Sequence, residues 1–250
     1  MLTIAGTARF ISDLHLRAER PDLTARFGAF LADTAAARVE TLFILGDLFE
    51  YWIGDDDLAD PFNAQVCKLL RELADQGTAI YFIAGNRDFL ICESFAAAAG
   101  ITRLEETATV GAGGTATLLM HGDTACTDDL PYQEFRRMVR SPDWQRTFLD
   151  RPLAERRAEV ENLRRRSAEA MQGKTAAIMD ANLDAIRTAL AAHGCTRLIH
   201  GHTHRPGHEA IQLASGSAER WVLSDWDTGR GDALEINASG VRRIDLSGET

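Results

Sequence analysis

Asp13-x-His15 sets a carboxylate and an imidazole two residues apart, and in an extended segment residues i and i+2 point to the same side. Related pieces recur at Gly46-Asp47, Gly85-Asn86, His121-Gly122 and Gly201-His202-Thr203-His204. Glycine beside each polar residue lets the backbone turn sharply and come close to a ligand. Any one of these histidines alone reads best as a hydrogen-bonded structural residue. Four of the chain's seven histidines, set beside two aspartates and one asparagine in matching motifs, read as a ligand set. Seven nitrogen and oxygen donors without a thiolate suit a pair of divalent cations rather than a zinc–cysteine site. The four cysteines, Cys67, Cys92, Cys126 and Cys195, lie far apart without a CxxC pair, so reduced and mostly buried thiols are expected.

Donors so scattered must be brought together by the fold. Short apolar runs at 9–12, 41–45, 80–84, 117–120 and 197–199 each end in one of the polar motifs, and runs of this length bounded by turn residues read as buried strands. Leu23, Phe27, Phe30 and Leu31, and then Phe62, Val66, Leu69 and Leu70, repeat with helical period between them. Alternating strand and helix predicts an α/β architecture, where ligands gather beyond the carboxyl ends of strands. Residues 106–110 and 115–120 resemble a hairpin around 111–114, and 219–226, 232–236 and 241–246 look like an antiparallel strand set. The strand ends at Asp13, Asp47, Asn86 and His121 are 34, 39 and 35 residues apart, about one βαβ unit each, but His121 to His202 is 81. The excess is helical and arginine-rich. It predicts one domain over 1–250 with a helical cap inserted at 127–174.

The ordered series Asp13-x-His15, Gly46-Asp47, Gly85-Asn86-Arg87-Asp88, His121-Gly122-Asp123 and Gly201-His202-Thr203-His204 resembles the calcineurin-like metallophosphoesterase family. That resemblance implies a β-sandwich flanked by helices with a dinuclear centre at one end. It assigns Asp13, His15, Asp47 and His204 to one metal, and Asp47, Asn86, His121 and His202 to the other, with Asp47 bridging. Two cations about 3.5–4 Å apart acidify a water, hold a phosphoryl oxygen and neutralise developing charge.

One departure from the general family pattern narrows the chemistry. A histidine that usually follows the asparagine, and protonates a leaving alkoxide, is replaced by Arg87. Arginine keeps its proton but clamps phosphate oxygens bidentately. A leaving phosphate, with a second pKa of about 6, needs no acid, so Arg87 points to cleavage of a pyrophosphate. The longer strings 46–57, 85–89, 120–129, 177–182 and 199–206 resemble one branch of the family. That branch implies a metal-dependent pyrophosphohydrolase of lipid A biosynthesis. It would cleave UDP-2,3-diacylglucosamine to UMP and 2,3-diacylglucosamine 1-phosphate by water attack on the α-phosphorus, usually with Mn2+. Asn86 and Arg87 are then the catalytic pair and hold phosphate, while Asp129, Ser167, Met171, Lys174 and His202 contact the sugar phosphate. Met171 stands where the branch commonly has a small polar residue. A soluble nucleotide phosphodiesterase or phosphatase on the same fold is the alternative. A scaffold without catalysis fits poorly, because all seven ligand positions are filled.

Charge separates the insertion from the rest. The chain of 250 residues has 27 basic and 37 acidic residues, a formal charge of −10, which argues against a general nucleic-acid binder. Residues 130–174 carry 11 basic and 7 acidic residues, or +4, leaving −14 elsewhere. Apolar residues, Phe135, Met138, Val139, Trp144, Phe148, Leu149, Leu153 and Leu163, are interleaved with the arginines. This combination predicts a cap that receives acyl chains on one side and meets an anionic inner-membrane surface on the other. Residues 1–20 lack the pattern of a signal peptide, and no apolar run approaches the ~20 residues needed to span a bilayer, so a peripheral protein on the cytoplasmic side is expected. No obligate protein partner is expected. Glu50, Asp55, Asp56 and Asp57 read as a solvated loop, with Trp52 and Ile53 as packing residues.

Overall fold

The structure is a computed structural model that describes residues 2–171 and 180–248, with the side chains of 166–171 left out. Among the described residues the strands are β1 Leu2–Thr3, β2 Ala8–Ile11, β3 Thr41–Ile44, β4 Ala79–Phe82, β5 Ile101–Arg103, β6 Thr107–Ala112, β7 Thr115–Met120, β8 Arg197–His200, β9 Gly207–Leu213, β10 Gly216–Val222, β11 Asp232–Asn237 and β12 Gly240–Asp245. The helices are α1 Pro21–Ala36, α2 Pro61–Asp75, α3 Glu93–Ala99, α4 Leu130–Val139, α5 Pro142–Leu149, α6 Leu153–Met171 and α7 Leu183–His193.

Two six-stranded sheets form, in the orders β12-β11-β2-β3-β4-β5 and β1-β6-β7-β8-β10-β9. β2, β3 and β4 run parallel, with Phe10 beside Phe43 and Phe43 beside Tyr81. Every residue of β2 and of β3 is buried, which is why these strands read as unbroken apolar runs rather than alternating ones. One face of each sheet meets the other sheet. Phe10, Phe43, Ile83, Val110, Leu119, Ile199 and Leu234 fill that seam. Phe10 stacks on Phe43 with ring centroids 5.0 Å apart, and Phe43 on Tyr81 at 5.2 Å. The outer face of the first sheet is covered by α1, α2 and α3 through Phe27, Leu70 and Phe95, and that of the second by α7 through Ile186 and Leu190.

Local chemistry sets the helix ends. Pro21 and Pro61 start α1 and α2, where a missing N–H costs nothing, and the Asp60 carboxylate accepts from Phe62 N. Asn182 caps α7 by accepting from Asp184 N and Ala185 N, and Gly194 ends it in the left-handed region.

The expected α/β fold, two sheets flanked by helices, is what forms. Three local expectations differ. The hairpin turn is only Gly113-Gly114, because Ala112 pairs with Thr115 and both glycines take positive φ, the geometry that matches strand twist. The C-terminal strands are not one antiparallel set. β10 lies parallel to β8, while β11 is antiparallel to β2 in the opposite sheet. The apolar run beyond Val222 is the crossing between sheets: Leu223 enters the seam and Trp226 packs edge-on against Phe27 and Phe30. Alternation marks a strand but does not name its neighbour. The short helix α3 and strand β9 also went unread. α3 has four alanines and one turn of apolar contact, and β9 is exposed at most positions.

Truncation of Phe43 to alanine removes the middle ring of the stack in the seam. The Phe43→Ala protein is expected to lose about 3–5 kcal/mol of stability, read as a lower midpoint in urea unfolding.

Candidate dimetal centre

The parallel strands β2, β3 and β4 of one sheet and β7 and β8 of the other bring their carboxyl ends to one place at the edge of the seam. Asp13 and His15 follow β2, Asp47 follows β3, Asn86 and Arg87 follow β4, His121 follows β7, and His202 and His204 follow β8. Six non-glycine residues among those described have positive φ, and five are Asp13, His15, Asp47, His202 and His204. Such conformations cost about 1–3 kcal/mol each and persist only where the surroundings over-determine them. Two glycines make the approach possible: a Cβ on Gly85 would collide with the Asp47 carboxylate, and one on Gly201 with that of Asp13.

The ends are pinned to one another across the seam. His202 N donates to Asp13 Oδ2 at 2.8 Å, Trp226 N donates to Asp13 O at 2.9 Å, and His121 Nδ1 lies 2.8 Å from Leu45 O. A carbonyl can only accept, so His121 carries a proton on Nδ1 and turns Nε2 into the site. That atom is 3.0 Å from Asn86 Oδ1, 3.2 Å from His202 Nδ1 and 3.7 Å from Asp47 Oδ1. A few ångströms away His204 Nε2 stands 3.3 Å from Asp13 Oδ1 and 3.3 Å from His15 Nε2. Asp13 Oδ1 and His15 Nδ1 are buried without a hydrogen bond.

This is the arrangement that cations complete. The ligand atoms of Asp13, His15 and His204, and those of Asp13, Asp47 and His121, each lie within 4.8 Å of one another. Asn86 and His202 complete the second group around His121. Burial holds His15 down to about 3 and His202 down to about 4, so both present neutral imidazoles. Burial opposes charging His121 too, but Asp47, Asp13 and Asp123 outweigh it and raise it to about 9. Burial pushes Asp47 up to about 7 against the pull of His121. Despite its burial, Asp13 is held well below the usual carboxylate range by His204, His121 and His15.

Several residues around the centre had no assigned role. Asp88 is buried and its two oxygens accept from Leu48 N at 2.7 Å and Gly85 N at 2.8 Å, clipping the β3 and β4 loops together. Asp225 Oδ2 lies 3.6 Å from His204 Nδ1, on the ring edge away from the cluster. A carboxylate there is placed to fix the orientation of that imidazole. His200, outside the ligand set, accepts from Arg220 Nε at 2.8 Å through Nε2, and burial lowers it to about 3. The signal for Asp88 was its place beside Asn86-Arg87; that for Asp225 lies in the crossing, far from any motif.

The acidic run is not a solvated loop. Glu50 and Asp57 are buried. Asp55 accepts from Cys92 N and Phe95 N at the start of α3, Asp56 pairs with Arg156, and Asp57 with Arg157. Basic residues of α6 neutralise it, a partnership invisible at a separation of 100 residues. Trp52 and Ile53 are core residues, as expected.

Between the site and helices α4–α6 lies a cavity of about 360 Å³. Trp52, Phe89, Leu90, Phe135, Val139, Trp144, Phe148, Val160 and Leu163 give it an apolar wall, and Asn86, Arg87, Arg136, Arg140 and Arg164 a polar one. α4 is held over the cluster: Arg136 Nε donates to Asp123 Oδ2 at 2.6 Å, and the Tyr132 ring stacks on His202 with centroids 5.8 Å apart. Asp129 is buried and caps α4 by accepting from Tyr132 N. Ser167 and Met171 lie on the backbone of α6 with side chains outside the described set, and Lys174 lies outside the described residues.

Two outcomes follow from this geometry. Asp47→Ala removes a carboxylate that faces His121, and it is expected to abolish both stoichiometric binding of divalent ions, measured by metal analysis after dialysis, and hydrolysis. Because metal must displace the proton on His121, Mn2+ binding at pH 7.5 is expected to release protons, and apparent affinity to rise with pH towards about 9. Calorimetry in two buffers of different ionisation enthalpy reads that release directly; buffer-independent heats would contradict it.

The model of the calcineurin-like phosphoesterase family matches residues 7–206. A protein of Aromatoleum aromaticum named UDP-2,3-diacylglucosamine hydrolase is 50% identical over 88% of this chain and 89% of its own length. Relatives of the same name in Chromohalobacter salexigens and Pseudomonas paraeruginosa are each 46% identical, over 95% and 94% of this chain and 96% of their own lengths. An archaeal phosphodiesterase of known structure superposes with a TM-score of 0.51 at 12% identity, over 96% of this chain and 99% of its own, a likeness of fold. With these matches spanning the ordered ligand series and the two-sheet frame that carries it, the chain belongs to the calcineurin-like phosphoesterase family.

Proposed function

We propose that the chain hydrolyses the pyrophosphate bond of UDP-2,3-diacylglucosamine, giving UMP and 2,3-diacylglucosamine 1-phosphate, a step of lipid A biosynthesis. The observation that carries this reading is the apolar cavity lined by Asn86, a member of the proposed ligand set, and by the adjoining Arg87. A polar nucleotide alone has no use for such a wall, whereas a diacyl sugar phosphate does. The relatives named for this substrate support the same reading.

Asp13, His15, Asp47 and His204 would hold one divalent ion, and Asp47, Asn86, His121 and His202 the other. When bound, the pair, Mn2+ in our reading, supplies the charge that acidifies a water and neutralises phosphoryl oxygens. Arg87 reaches the cavity from the loop that also carries Asn86, so its guanidinium can clamp the phosphate oxygens while Asn86 and His202 orient the α-phosphate. Water oxygen bonds to the α-phosphorus as its protons pass to solvent, the bridging P–O bond breaks, and the sugar phosphate leaves with its electron pair. A phosphate leaves without protonation, so the absence of an acid beside Asn86 is no deficit. Asp129, Ser167, Met171 and Lys174 belong in this reading to the sugar-phosphate subsite.

Helices α4–α6 act as the cap within a single domain. Their apolar inner side, with Phe135, Val139, Trp144 and Phe148, takes the acyl chains. On the outside, Leu130 is 71% and Met138 50% exposed, near Arg137. Exposed apolar residues among arginines suit a peripheral contact with the anionic cytoplasmic face of the inner membrane. Among the described residues no helix is long and apolar enough to cross a membrane.

The deciding experiment supplies UDP-2,3-diacylglucosamine and Mn2+ in 18O-labelled water and identifies the products. Label in UMP is expected. Label in the sugar phosphate would move the attack to the other phosphorus, and turnover confined to cyclic nucleotides would replace the proposal with the soluble phosphodiesterase.

A further inference from the structure

Glu50 follows the Asp47 strand end and takes no part in the ligand set, yet it is nearly enclosed. Its backbone is fixed: Glu50 N donates to Leu16 O at 3.0 Å, and Leu16 pairs in parallel with Phe49. The segment that carries it also holds Arg87, because Trp52 N donates to Arg87 O at 2.9 Å. From this fixed base the carboxylate meets four groups from three places in the fold. Oε1 lies 3.4 Å from Arg87 Nη1, 2.8 Å from Arg164 Nη2 of α6 and 3.8 Å from Arg17 Nη1. Oε2 lies 3.5 Å from His15 Nδ1. Three guanidiniums thus share one negative charge. Without that charge, Arg87 and Arg164 would repel one another across the mouth of the cavity they both line.

The His15 contact has a different consequence. His15 Nε2 faces His204 Nε2 in the cluster, so Nδ1 is the edge turned outward, and it has no hydrogen bond in this state. A carboxylate facing that edge favours a proton on Nδ1, which leaves the Nε2 lone pair for the cluster.

We propose that Glu50 is a positioning residue for the reaction. One carboxylate holds Arg87 at the angle needed to clamp phosphate, and sets the tautomer of His15 at the metal cluster, braced by Arg164 from α6. This rests on the function proposed above only for its kinetic half; the half that concerns His15 is independent of substrate.

The test compares Glu50→Gln with the parent protein, after circular dichroism and thermal melting have established that both are folded. Glutamine keeps the shape and removes the charge. Mn2+ affinity by calorimetry is expected to fall by tenfold or more, the range seen when a partner of a ligating histidine is lost. At saturating Mn2+, kcat for UDP-2,3-diacylglucosamine is expected to fall by tenfold or more with KM unchanged or lower, since the site becomes more positive. In an Arg87→Ala background the same change should cost less than twofold in kcat, because the group that Glu50 orients is gone. Mn2+ affinity within twofold of the parent overturns the proposal. So do losses that multiply with Arg87→Ala, which would mark Glu50 as merely structural. If Glu50→Gln does not fold, Glu50→Asp keeps the charge but withdraws it by one methylene; a several-fold lower kcat and weaker Mn2+ binding are then expected, and parent-like values for both overturn the proposal. Should the parent protein leave the lipid substrate untouched, the functional reading falls, while the Mn2+ affinities still decide the role of Glu50 at His15.

Discussion

The convergence of polar side chains from both sheets on one buried point is the constraint on which this structure turns. Asn86 Oδ1, His202 Nδ1 and Asp47 Oδ1 all approach His121 Nε2, and Asp13 Oδ1 meets His204 Nε2 with no hydrogen bond. Left-handed backbone at five of the participants adds strain. A fold offsets such a cost only with rigid surroundings. Those are supplied by two stacked sheets whose strands β2, β3 and β8 are buried along their whole length, by aromatic stacking through the seam and by hydrogen bonds that run across it.

Much of this was legible in the residues. The central strands could be read because burial on both faces leaves unbroken apolar runs that stop at a polar residue. The residues of the cluster could be singled out because each stands at such a stop, beside a glycine in four of the motifs. What escaped is what depends on distant partners. The run ending at Trp226 looks like one strand, yet Val222 ends β10 and Leu223 already belongs to the seam. Asp55, Asp56 and Asp57 look solvated until α6 brings Arg156 and Arg157 against them. Asp88 and Asp225 are ordinary carboxylates in sequence, and acquire meaning only from two backbone N–H groups and one imidazole that the fold delivers.

The charge balance also reads differently in three dimensions. A chain at −10 overall looks averse to an anionic substrate. Its basic insertion, however, turns arginines inward as well as outward: Arg136, Arg140 and Arg164 line the cavity, while Arg156 is buried against the acidic run. The helices are therefore attached by ion pairs at one place and open a positive, apolar chamber at another. Net charge is the sum of these two uses and describes neither.

The position of the centre astride the seam has one more consequence. β2 and β3 belong to one sheet, β7 and β8 to the other, and the side chains at their ends interleave in one cluster. An ion held by both sheets is a cross-link as well as a reagent. Anything that binds the native state but not the unfolded chain stabilises it by mass action, about 2.7 kcal/mol at a hundredfold excess over the dissociation constant. A divalent ion held by that cluster would then bear on how long the folded chain persists as well as on its chemistry.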